Sequence, residues 1–127
     1  MTENEVSYKA RGAIFKVFNN LGPGLLESTY EIALAHELVK EGLRVKQQVG
    51  LPFVYDTIKL DLSFRIDLLV EDIVIIEIKS VEDLRDVHHK QLLTYLTLAN
   101  RKLGLLVNFN TADISQSIFR KVNGLRE

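Results

Sequence analysis

Ile73-Val74-Ile75-Ile76-Glu77-Ile78-Lys79-Ser80 is a run of β-branched residues that carries one carboxylate and one ammonium. Such a run predicts a strand buried on both faces. Side chains alternate along a strand, so Glu77 and Lys79 emerge on one face while Ile76 and Ile78 take the other. An unpaired charge in such a strand costs roughly several kcal/mol unless it is paired or bound to metal. Two of them side by side mark either a structural ion pair or a site. Upstream, Arg65-Ile66-Asp67 opens another apolar strand, Leu68-Leu69-Val70, with the same charged alternation.

Whether Asp67 can meet Glu77 depends on parity. In a regular hairpin, opposed residues have position numbers of constant sum and face the same side. A two-residue turn at Glu71-Asp72 would pair Val70 with Ile73, a sum of 143, and turn Asp67 away from Glu77. An even sum is required, most simply 144, which opposes Asp67 to Glu77. That predicts an odd-length connection such as Glu71–Ile73, or a bulge that shifts the pairing by one residue.

The remaining elements follow from spacing. Val6, Ala10, Ala13, Ile14, Val17, Phe18 and Leu21 form a helical stripe over about residues 4–20, and Gly22-Pro23-Gly24 ends it. A second helix is predicted over about 25–40, with Leu26, Tyr30, Ala33, Leu34 and Leu38 inward and Gly42 just past its end. Arg44–Tyr55 reads as one bent edge strand because it holds Gly50 and Pro52. After a turn at Asp56-Thr57, Leu60–Val70 reads as the next strand, paired with the central one. A helix over about 87–100 carries Leu92, Leu93, Leu96 and Ala99 inward; Leu103–Asn108 and Ser117–Val122 are further strands. The order predicts an α/β fold, a mixed sheet flanked by helices.

The 127 residues, 46% of them hydrophobic, match one domain spanning 1–127 with a genuine core. Cysteine is absent, which excludes disulfides and thiolate zinc sites. No apolar run is long enough to span a bilayer and the acidic start lacks a signal-peptide pattern, so a cytoplasmic protein without membrane contact is expected. A net charge of −1 means that nucleic-acid binding cannot rest on bulk charge; it needs a divalent metal or a local patch.

Hard divalent cations take oxygen ligands, and Mg²⁺ is typically held by one or two carboxylates with water and phosphate. Asp67 and Glu77 on adjacent strands can supply that pair, and Glu27, at a helix start, can complete or extend it. Lys79 can activate a water or stabilise charge on a phosphate. Gln91 and Tyr95, one helical turn apart, can position substrate or water. His88 shares their face and can touch phosphate, but adjacent His88 and His89 diverge by about 100° and cannot both bind one ion. Each residue also has a structural reading: Glu77 and Lys79 as an ion pair with Arg65 or Asp67, Glu27 as a charge favourable to the helix dipole, Tyr30 as a core aromatic with a bonded hydroxyl.

Gly24-Leu25-Leu26-Glu27-Ser28-Thr29-Tyr30 resembles the signature of the GxxExxY proteins, a branch of the PD-(D/E)XK nuclease superfamily. The likeness runs from about residue 22 to 108 and takes in Arg65-Ile66-Asp67, Glu77-Ile78-Lys79 and Gln91–Tyr95 in order. The last pair is also similar to the Q-x-x-x-Y motif in the exonuclease domains of bacterial recombination helicases. The resemblance implies an αβββαβ core with an extra N-terminal helix, and a metal-dependent nuclease acting on nucleic acid, DNA rather than RNA. It implies that Asp67 and Glu77 ligate Mg²⁺ or Mn²⁺ with support from Glu27, and that Lys79 is the catalytic lysine. Gln91, Tyr95, His88 and Arg65 would contact substrate. A homodimer would enlarge the surface gripping a duplex. The alternative from another class is a catalytically idle nucleic-acid-binding or assembly module on the same fold.

Overall fold

The computed structural model describes residues 1–60 and 64–126. Thr2 starts the first helix, α1 (Glu3–Leu21): its hydroxyl accepts from Glu5 N while the Glu5 carboxylate accepts from Thr2 N. Gly22 and Gly24, at φ 68° and 96°, turn the chain through left-handed conformations that suit glycine. Helix α2 (Glu27–Lys40) follows, and α3 (Asp86–Ala99) lies later in the chain. Five strands, β1 (Val45–Gly50), β4 (Arg65–Val70), β5 (Val74–Lys79), β6 (Leu103–Asn108) and β7 (Ile118–Val122), form one sheet in the order β1-β4-β5-β6-β7. Only β5 and β6 are parallel, joined through α3; the other neighbours are antiparallel. This is the mixed α/β sheet with an added N-terminal helix that the sequence predicts.

Strand β5 is central, and Val74–Ile78 are all buried. Its β-branched run suits a position with a layer on each face. Helices α1 and α2 cover one face, where Leu68, Val70, Val74, Ile76 and Ile78 pack. Helix α3 covers the other, over Ile66, Leu69, Ile75 and Leu106. A β-carbon at Gly104 would lie 2.9 Å from Leu92 Cδ1, so the close approach of α3 to β6 depends on its absence. Among the described residues no helix is long and apolar enough to cross a membrane.

Five expectations need correction. Arg44–Tyr55 is not one strand: β1 stops at Gly50, and Phe53–Tyr55 (β2) pairs with Ile58–Leu60 (β3) in a separate hairpin turned at Asp56-Thr57. Pro52 has no N–H for a ladder, which separates the two segments. Leu60–Val70 divides likewise between β3 and β4, with 61–63 outside the described residues. Leu26 is exposed because it precedes the first turn of α2 as its N-cap, and Leu21 is exposed at the end of α1. Leu93 is also exposed, and Tyr95 fills the stripe with Leu92 and Leu96, since neighbours on a helix diverge by about 100°.

Candidate active site

The connection between β4 and β5 has odd length. Val70 pairs with Val74, Leu69 with Ile75 and Leu68 with Ile76, each a sum of 144. Glu71 and Asp72 take φ of 52° and 60°, and Ile73 N closes the turn on Val70 O at 3.1 Å. Continued one step, that register opposes Asp67 to Glu77. The backbone ladder stops there, and side chains replace it. Glu77 Oε2 accepts from Asp67 N at 2.7 Å, and Asp67 Oδ2 accepts from Ile78 N at 2.8 Å. Each carboxylate is therefore held by the backbone of the opposite strand.

This arrangement keeps two acids close at high electrostatic cost. Glu77 is buried, and desolvation followed by the charge of Asp67 pushes its carboxyl up to about 8, against the pull of the Asp67 N–H and of Lys79. Burial also raises Asp67, opposed by its bonds from Ile78 and Gln48 and by Lys79. Lys79, half-buried, acts on both acids. Tyr95, buried on α3, feels them as well: desolvation and the charges of Glu77 and Asp67 raise its hydroxyl, while a hydrogen bond with Gln91 lowers it. Tyr95, with Gln91 one helical turn before it, is thus within electrostatic reach of both carboxylates.

Glu27 reaches the same sheet end by a different route. Its Oε2 accepts from Ser80 N at 3.1 Å, and Ser80 Oγ donates to Leu25 O at 2.6 Å, so the turn before α2 is tied to the residue after Lys79. Tyr30 holds that turn: its hydroxyl donates to Gly22 O at 2.6 Å and accepts from Leu25 N at 3.1 Å. Gly22, Leu25, Glu27 and Tyr30 form one unit, with Tyr30 as a buried anchor. Glu27 acts electrostatically on Asp67. Among the described residues no three His, Asp or Glu side chains are grouped to hold a metal ion; Asp67 and Glu77 form a pair.

Other expected residues are already bonded within the fold. Arg65 donates to Gln48 O at 3.3 Å, and His88 Nδ1 accepts from Arg85 N at 3.0 Å at the start of α3. His89 packs edge-on against Phe119 at 5.0 Å. Three residues that sequence reasoning passed over also belong here. Glu31 accepts from Gln48 Nε2 at 2.6 Å and from Gln47 Nε2 at 3.2 Å, while Gln48 Nε2 also donates to Asp67 Oδ1 at 3.2 Å. Asn108, buried at the end of β6, accepts from Val81 N at 3.0 Å and donates to Val81 O at 2.9 Å, fixing the chain beyond Lys79. A signal existed for Glu31, which follows Glu27 by one helical turn, and for Asn108, a polar end to an apolar strand. None existed for Gln48.

Comparison with known proteins adds one result. A family model described as the PD-(D/E)XK nuclease superfamily matches residues 4–121, nearly the whole chain and every residue of the site. No curated protein and no solved structure matches.

Proposed function

Because the chain belongs to the PD-(D/E)XK nuclease superfamily, we propose that it is a divalent-metal-dependent phosphodiesterase acting on nucleic acid, DNA rather than RNA, in the manner of the GxxExxY branch, with residues 1–127 as one domain. The observation that carries this is the carboxylate pair built into the gap between β4 and β5, with Lys79 beside it.

The donor set suits a hard cation. It offers two adjacent carboxylates, and Glu77 Oε1 has no hydrogen-bond partner among the described residues while Oε2 is anchored. Two acids whose charges oppose each other in a desolvated place gain most from a dication. Asp67 and Glu77 would hold Mg²⁺ or Mn²⁺, and Glu27 would support the pair from α2. When bound, the ion supplies Lewis-acid charge at a phosphate oxygen and makes water a stronger acid.

Glu77, whose carboxyl is pushed up by burial and by the charge of Asp67, would give up a proton on holding the ion and act as acceptor only. Lys79 Nζ would donate to a phosphate oxygen, stabilising charge as the new P–O bond forms and the bond to the sugar oxygen breaks. The proton lost by the attacking water passes to bulk water, and the leaving oxygen takes one from it. Gln91 orients substrate through its amide, with Tyr95 as its support. Arg65 and His88 are already bonded within the fold, and their substrate contacts would use the remaining guanidinium N–H groups and His88 Nε2.

The test is cleavage of single-stranded, duplex and branched DNA, and of RNA, with Mg²⁺ or Mn²⁺. Products that vanish with chelator and in Asp67→Asn support the proposal. Metal binding without cleavage of any substrate would instead favour the idle module.

A further inference from the structure

Strand β1 departs from regularity at one residue. Gln48 has φ 51° in the middle of a strand, a conformation that side chains rarely adopt. It stands where β1 should pair with Asp67: Gln47 pairs with Leu68 and Val49 with Ile66, but the pair between them is missing. Pairs on both sides keep a sum of 115, so no residue is inserted. Instead both strands exchange faces. Val45 packs under α1 and α2 while Val49 packs under α3, though four residues apart they would share a face in a regular strand. Leu68 and Ile66 show the same exchange. The rotation carries Gln48 Nε2 to Glu31 Oε1 and Asp67 Oδ1 together and presents Gln48 O to Arg65.

We infer that Gln48 is a positioning residue for Asp67, its amide bridging the Asp67 carboxylate to Glu31 on α2, and that the left-handed turn in β1 exists to make that bridge. A side-chain amide has two N–H donors, and here they serve two carboxylates. Glu31 has both oxygens taken by Gln48 and Gln47, which makes it an anchor. Asp67 in turn has one oxygen fixed by Ile78 N and the other by Gln48. The Gln48 O to Arg65 bond needs only the backbone, and glycine would meet the backbone requirement more easily, so a glutamine here points to the side-chain bridge. Such backbone strain persists where its surroundings over-determine it, and clusters at working sites.

The inference rests on the proposed metal role of Asp67, so the test has one arm that does not. In metal-free protein the Gln48 side-chain amide, followed by ¹⁵N–¹H NMR, should be slow to exchange and should move in Asp67→Ala and in Glu31→Ala. An amide that exchanges like a free glutamine, or ignores both substitutions, overturns the bridge whatever the metal does. The second arm is Mn²⁺ titration by calorimetry. Gln48→Gly removes the bridge while suiting the left-handed turn, so it should melt no lower than the parent yet bind Mn²⁺ roughly 10–100-fold more weakly, as expected when a group that orients a metal ligand is lost. Parental or tighter affinity in Gln48→Gly overturns the positioning role. A parent that binds no Mn²⁺ defeats the metal reading, and the NMR arm still decides the bridge.

Discussion

The ring of Tyr30 lies flat on that of Phe109, centroids 4.3 Å apart and planes 5° from parallel. Phe109 N donates to Lys79 O at 2.9 Å, and the Tyr30 hydroxyl holds the turn before Glu27. This stack joins the helical and strand halves of the site. Tyr30→Phe keeps the stack and leaves Leu25 N and Gly22 O without their partner, so it should cost about 1–3 kcal/mol in chemical denaturation. Tyr30→Ala should cost about 3–5 kcal/mol by opening a cavity. A Tyr30→Phe variant as stable as the parent would show that the hydroxyl contributes little to the turn.

Replacing Asp67 with Asn keeps the shape and an oxygen for Ile78 N but removes a charge that pushes Glu77 up. The metal-free variant should be at least as stable as the parent above neutral pH, and its divalent affinity should fall below detection by calorimetry. Unchanged Mn²⁺ affinity would remove Asp67 from the ligand set.

Glu77 also sets a pH dependence. Its carboxyl stands at about 8 in the folded protein against 4.5 for the ordinary group. Between those values the folded chain keeps a proton that the unfolded chain has lost. Stability is then fully present below about 4.5 and is lost as pH rises through about 8, by at most ~1.4 kcal/mol per pH unit from this group. Urea titrations of metal-free protein at several pH values between 5 and 9 should show this decline. Divalent binding near pH 7 should release a proton, visible as a buffer-dependent binding enthalpy. Buffer-independent enthalpy would mean that Glu77 is already ionised.

Lys79 lowers both carboxyls by its charge, so it competes with a cation for them. Lys79→Ala should bind Mn²⁺ as tightly as the parent or more so, while phosphodiester cleavage falls by about 10²–10³-fold, as for loss of a transition-state donor. A variant that cleaves at the parental rate would reduce Lys79 to a structural partner.

The sequence revealed most where one physical rule governs a residue. A β-branched run with two charges on one face located β5, and parity required either an odd-length connection or a bulge; the three-residue connection between Val70 and Val74 is the one formed. Helical stripes located α1, α2 and α3 within about two residues. It failed where local rules compete. Pro52 separates β1 from the strand Phe53–Tyr55, where alternation alone would make one strand. Leu26 and Leu93 are apolar but sit beyond the buried stripe. Gln48 was illegible because its conformation comes from the carboxylates it serves, not from its own propensity.

The connection Glu71–Ile73 lies at the end of the sheet opposite the carboxylates, in a turn where insertions and deletions are ordinarily harmless. Here the number of residues in that turn decides which way Asp67 faces, so an indel of one there would erase the site without touching a single residue in it. A relative of this chain can therefore vary the letters of this turn, within what the left-handed Glu71 and Asp72 positions tolerate, but not their count. Where the count has changed by one, a bulge or a shift of the acid along its strand must compensate, or the carboxylate pair is lost.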